Sequence, residues 1–352
     1  MMLRAVVGVV AIGTLAAGSY AQTSGVEGRL LVVEKTSQSL GIVDPAAGKQ
    51  IALVSEGKLA GRDTGHEAAA SLDGRFAYVP IYGDSGVGKP GSDGRTMVVI
   101  DIAAQKVVNT LDFGHPVRPH CAVMGPPVAG FPEGLLYVTT ELDKAITIVD
   151  PRTLKILGKI STGMAESHML AISHDGKRGY TANVGSGTVS VLDLTPRTVG
   201  MVWLSPMATI PVAKTVQRIT ISPDDKEVFT SDQTKPELDV IDTATNKVTK
   251  RIPMESFGYG TAVTPDGHWL LVPMMDVNKI AVIDLKTDAV VKNIDLAAGT
   301  HPQEALVRPD GKMAYVSCDH SGQVAEIDVA TWTVRRMIDT GKVSDGLAWA
   351  GR

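Results

Sequence analysis

Three histidines, His66, His120 and His168, stand where chemistry could be done. Each precedes a short apolar stretch that runs into a turn. Counting seven residues back from a turn aspartate reaches His66 from Asp73, His168 from Asp175, Gln217 from Asp224, Tyr259 from Asp266 and Gln303 from Asp310. Aligning His-Cys-Ala-Val-Met on His-Met-Leu-Ala-Ile adds His120, and the last apolar stretch supplies Asp345. All seven are polar and three consecutive members are histidine, a concentration that eight randomly spread histidines would seldom give. Imidazoles from neighbouring units at a common height can converge on one cation. Three of them with an open position suit zinc or copper, with iron a further divalent candidate. Glu67, Glu166 or Asp345 would then orient the rings through their second nitrogens. Two positions upstream lie Arg118, Glu166 and His301, whereas two positions downstream the series turns mostly apolar, as at Ala68, Ala122 and Leu170. The alternative is a polar, water-filled mouth in which these histidines only hydrogen-bond to loops.

The elements that must position these residues come from a repeat. An apolar-apolar-Asp ending, once Glu-Ile-Asp, recurs at Asp44, Asp101, Asp150, Asp193, Asp242, Asp284 and Asp328, with separations between 42 and 57 residues. Within one unit, Glu166 to Leu194, three strands are separated by an Asp-Gly turn and a small-residue turn, the hairpin signature. A period near 40–45 residues built from four short strands is a propeller blade. The expected fold is therefore all-β, a seven-bladed β-propeller with four antiparallel strands per blade. Residues 29–54 supply three strands and Asp345–Trp349 a fourth, so the C-terminal strand should pair with the N-terminal three and close the ring. Closure removes exposed edges. The first strand of each blade then lines the central channel, and the seven polar positions mark one mouth. The repeat aspartates read as turn residues that accept backbone N–H bonds.

Several features depart from the repeat. Blade two carries a Gly-rich insertion, Gly83–Arg95, which lacks phosphate-loop spacing and reads as a surface loop beside one mouth. Blade four holds Trp203, within Val199–Ile210, where a plain fourth strand is expected. Cys121 and Cys318 fall on separated blades, too far apart for a disulfide, and are expected as free thiols. Cys121 beside His120 could add a soft ligand, although a buried inert thiol fits better. Cys318-Asp319-His320 reads as a turn.

Met1–Ala21 has the layout of a secretory leader: Arg4, an apolar run over 5–17, and Ser19-Tyr20-Ala21 as the cleavage site. The expectation is a signal peptide over residues 1–21, one propeller domain over residues 22–352, and a periplasmic or secreted protein. The run is too short to span a bilayer. A net charge of −4 leaves no electrostatic footprint for nucleic acid. Expected partners are a small molecule or ion at the mouth and a protein on a propeller face, with no nucleic acid and no membrane insertion.

Tyr78-Val79-Pro80, Tyr137-Val138-Thr139-Thr140, Tyr180-Thr181-Ala182-Asn183 and Tyr315-Val316-Ser317 follow Asp-Gly or Glu-Gly turns and precede the Asp-ended strands. These segments resemble the YVTN-type β-propeller repeat family over residues 29–349. The resemblance implies an exported propeller. It points towards surface-layer proteins, a lactonase group, and the nitrite-reductase type of propeller that holds haem or copper at its axis.

The leading expectation is an exported propeller that binds a small ligand or metal ion at the mouth marked by His66, His120 and His168, in a binding or scaffold role. Gln217, Tyr259, Gln303, Asp345, Arg118, Glu166 and His301 complete the expected ligand-binding set. The alternatives are a periplasmic lactonase-like hydrolase using the same histidines and, more weakly, a copper- or haem-holding redox accessory protein. No Gly-x-Ser-x-Gly elbow or Cys-x-x-Cys-His haem attachment is present.

Overall fold

The structure is a computed structural model that describes residues 28–87, 89–195, 202–203 and 206–351; the leader expected over Met1–Ala21 lies outside them. Among the described residues the chain forms seven sheets around a ring, with three short 3-10 turns as the remaining regular structure. Six blades are built from consecutive strands. The seventh combines Gly28–Glu34, Ser39–Asp44 and Lys49–Ser55 with the C-terminal strand Ser344–Gly351, which pairs antiparallel with Gly28–Glu34, Leu347 opposite Val32. The ring is closed in the expected way.

Burial explains why the strand types differ in sequence. The second and third strands of a blade are covered by neighbouring blades on both faces, so Leu136–Thr140 and Ala145–Asp150 are almost wholly buried and nearly all apolar or Thr. The outermost strands, such as Lys49–Ser55 and Lys247–Pro253, are covered on one face and alternate exposed with half-buried residues. The core is consequently a ring of seven inter-blade clusters. Leu31, Val33 and Ile42 meet Val79, Val98 and Ile100 at one junction. Tyr137 and Ile148 meet Leu170 and Leu192 at another. Each such side chain contributes about 1.5–3 kcal/mol on burial.

Each repeat aspartate ends a third strand and accepts a backbone N–H two or three residues on, at 2.7–3.0 Å, from Ala46 to Asp44 through Thr331 to Asp328. They cap local turns at the rim away from the mouth. The free thiols expected at Cys121 and Cys318 are present and buried.

Blade four departs from the plain repeat. The fourth strand of blade four is Ala208–Pro211, paired with Thr188–Asp193. Val202–Trp203 lies instead along the outer edge of blade three, parallel to Lys155–Ser161. The outermost strand of a blade leaves its far edge unpaired, and this segment takes that edge.

Candidate functional site

The innermost strands do not run straight into the mouth. In five blades the pairing with the second strand slips at the position where the sequence places a polar residue. His168 is left over between Ser167 and Met169 in this way. His120 and Cys121 face Thr139 alone, Gln217 and Arg218 face Ser231, Gln303 and Glu304 face Ser317, and Asp345 and Gly346 face Val33. In blade two His66 sits between two short pairs, Thr64–Gly65 and Ala69–Ala70, and in blade six Tyr259 precedes Ala262–Val263. A bulge puts two residues opposite one, bends the strand and re-aims its side chains. Here it turns them towards the axis. The entry to these strands is also bent, since Arg118, Glu166, His301 and Val343 have left-handed φ of 50°, 53°, 56° and 42°.

The bulges gather an arc of rings. His66 and His120 lie edge to face with centroids 5.4 Å apart, and His120 and His168 overlap at 3.6 Å with planes 30° apart. Tyr82, at the end of a second strand, fills the space between them at 4.6 Å from His66 and 5.1 Å from His120. His168 Nδ1 lies 2.5 Å from Glu141 Oε1, and the Tyr82 hydroxyl donates to Glu141 Oε2 at 2.9 Å. Arg118 passes over the Tyr82 ring and reaches Asp93 Oδ1 at 2.6 Å, which ties the blade-two insertion to the mouth. Gln217 Nε2 approaches His168 Nε2 at 3.4 Å. Burial drives His66 down to about 3, aided by Lys35, and drives His120 well below the ordinary imidazole range, aided by His168 and His66. Both rings are therefore neutral near pH 7. His120 is only 1% exposed and its Nδ1 has no hydrogen-bond partner.

Beside the arc, Glu67, Arg218 and Glu304, each one place past a ring position, join Asp345 and Tyr259 in a plug. Arg218, 2% exposed, bonds Glu67, reaches Glu304 Oε2 at 2.7 Å and Asp345 Oδ1 at 3.5 Å, and lies over the Tyr259 ring. Lys35 Nζ meets Asp345 Oδ2 at 3.1 Å. Burial raises Glu67 to about 8 and pushes Glu304 up as well, in both cases against the pull of Arg218. Burial also opposes ionisation of Asp345, but Lys35, His66 and Arg218 outweigh it and hold this carboxyl low. The plug needs glycine at two places. A Cβ on Gly346 would lie 2.5 Å from His66 O, and one on Gly260 2.6 Å from Gln303 O.

Sequence reasoning found the ring but not all of its partners. His168 is oriented by Glu141, not by Glu67 or Glu166. Glu67 binds Arg218, and Glu166 is half-buried beside Gly185. His66 meets Asp345 only at 3.9 Å. His301 joins Asp319 and His320 instead of the central arc. Cys121 is pushed up to about 12 by burial, which keeps it a thiol and not a soft ligand. The missed residues obey the same register. Lys35, Glu141 and Asp319 each stand one place past the end of a second strand, and Arg218 stands one place past Gln217. Among the described residues, the three central histidines do not bring three ligand atoms within 4.8 Å of one another.

Residues 92–340 match the family model described as the cytochrome D1 heme domain. The chain belongs to this family. Within the cytochrome D1 heme domain family the matched stretch covers the propeller from the end of the blade-two insertion to the last outer strand. Curated relatives are the uncharacterized YncE proteins of Salmonella typhi and Salmonella typhimurium, each 21% identical over 225 residues, covering 60% of this chain and 62% of the relative. The chain thus spans about three fifths of those relatives' length. The hydrazine synthase of Kuenenia stuttgartiensis superposes with a TM-score of 0.67 at 19% identity, over 83% of this chain and 92% of that one. That likeness is one of fold.

Proposed function

We propose that this propeller binds a small polar ligand or ion at the mouth over His66, His120 and His168, with Gln217, Tyr259, Gln303 and Asp345 completing the ring, and serves as a binding or scaffold protein. The observation that carries the reading is the unpartnered Nδ1 of His120, buried between His66 and His168. A buried polar atom without a partner costs about 1–3 kcal/mol, which a bound group would recover. Neutral imidazoles are also the form that donates to a ligand. The leader-like Met1–Ala21 supports an exported, periplasmic or secreted setting.

The family's description raises a second reading, haem binding for a redox role. The imidazoles have suitable donor chemistry, but the space does not fit. His120 and His168 are about 1% exposed and stack on each other at 3.6 Å, and Tyr82 touches His66 and His120, so a flat macrocycle has no slot among the three histidines. The hydrolase alternative has less support. Within the three-histidine arc the tight imidazole–carboxylate pair is His168–Glu141, and both of its side chains are buried away from a substrate.

Native mass spectrometry of tag-free protein from the exported fraction tests the binding reading. A co-purifying small mass or metal that is lost in His66→Ala and His120→Ala supports it. Bare wild-type protein whose thermal midpoint is unaffected by either change sinks it. Haemin titration followed by Soret absorbance tests the second reading, which requires a stoichiometric band altered in His66→Ala.

A further inference from the structure

At the rim of blade seven a second cluster stands outside the hub. His301 lies in the loop entering the innermost strand, and Asp319 and His320 follow the second strand, Met313–Cys318. The two imidazoles stack almost parallel, centroids 4.0 Å apart with planes 6° apart. Both face one carboxylate oxygen: Asp319 Oδ1 is 2.7 Å from His301 Nδ1 and 3.8 Å from His320 Nε2. Nitrogen, nitrogen and oxygen ligand atoms thus lie within 4.8 Å of one another, the one such group of three among the described residues. The frame behind them is fixed. Asn278 Oδ1 accepts the His301 N–H at 2.9 Å and the Thr300 hydroxyl at 3.2 Å, holding His301 in its left-handed backbone. Asp319 is buried, whereas the His320 side chain is 61% exposed, so the cluster has a carboxylate floor and an open side.

We propose that His301, Asp319 and His320 bind one divalent transition ion of the Zn2+ or Cu2+ class. Two imidazoles and a carboxylate suit a borderline ion, whereas Ca2+ and Mg2+ require shells of oxygen. Three protein ligands leave coordination positions open to solvent, so the ion is exchangeable. Binding takes both imidazoles in their neutral form, with the remaining proton of each ring on its other nitrogen. The ion therefore competes with protons for the same ring nitrogens. The alternative occupant is a proton, with His301 simply bonded to Asp319.

Metal-stripped, tag-free full chain titrated with Zn2+ by calorimetry, and with Co2+ by visible absorbance, tests the site. One equivalent is expected in wild type at about pH 7.5. It should be lost in His320→Ala and in Asp319→Ala, and retained in His66→Ala. The exposure of His320 makes that variant safe for folding, and an unchanged thermal midpoint without metal verifies it. No equivalent in wild type, an equivalent kept in His320→Ala, or one lost in His66→Ala would each overturn the proposal. The last result would move the metal to the hub and favour an ion as the ligand there.

Discussion

The two rims of this propeller treat the same repeat in opposite ways. At the far rim the residue is kept: seven aspartates, each accepting a backbone N–H from its own turn. At the mouth the position is kept and the residue changes, from His66 through Tyr259 to Asp345. Because bulges aim five of those positions at one axis, their side chains meet residues from other blades. A local device repeated seven times gives seven small independent effects. A convergent one gives a coupled cluster whose members cannot be changed singly without consequence.

That contrast can be broken most directly at Arg218. Arg218→Ala leaves Glu67, Glu304 and Asp345 buried without their shared cation, and stability should fall by about 3–5 kcal/mol in urea unfolding. A loss no larger than that of a turn aspartate would erase the distinction between the rims. Acid should separate the rims next. His66 is held near 3 while the unfolded chain titrates near ~6.5, so the unfolded state takes up its proton first. The stability tied to neutral His66 is complete above about 6.5 and drains away towards about 3, on the order of a few kcal/mol. Backbone N–H bonds from Ala47 and Ala46 hold Asp44 below its usual value. Its contribution is present above ~3.9 and is lost only as pH falls through the lower folded value. Urea midpoints against pH should therefore decline in two stages, and His66→Gln should shrink the upper one alone.

Glu141→Gln probes a single contact in the arc. It replaces the carboxylate that faces His168 Nδ1 and accepts from Tyr82, at a cost of about 1–3 kcal/mol. The same change should alter the exchange behaviour of the His168 ring proton in NMR. The smallest effects belong to the far rim. Asp150→Ala and Asp328→Ala each remove a turn acceptor and should cost about 1 kcal/mol. Lying on blades three and seven, they should add within about 0.5 kcal/mol in the double variant. Strong non-additivity there would mean the turns are not local devices.

The fold and the ring register were readable because both repeat. Seven Asp-ended strands announced seven blades, and a fixed count back from each turn reached His66, His168, Gln217, Tyr259 and Gln303. Blade four ends irregularly because Val202–Trp203 answers to the open edge of another blade, which no local pattern records. Glu141 was passed over in favour of Glu166 for a related reason. Nearness in sequence suggested Glu166, but the bulge at His168 turns the ring to a neighbouring blade's second strand.

Sequence alone determined the number of blades, the closure of the ring and the height at which polar residues gather, since each follows from a period and each period is local. Tertiary structure decided which of those residues touch. It put His120 on His168 while leaving His301 to Asp319 and His320, and it set Arg218 among three carboxylates. Those pairings depend on how far each strand bends at its bulge and on which glycines allow close approach, and both are set by packing between blades.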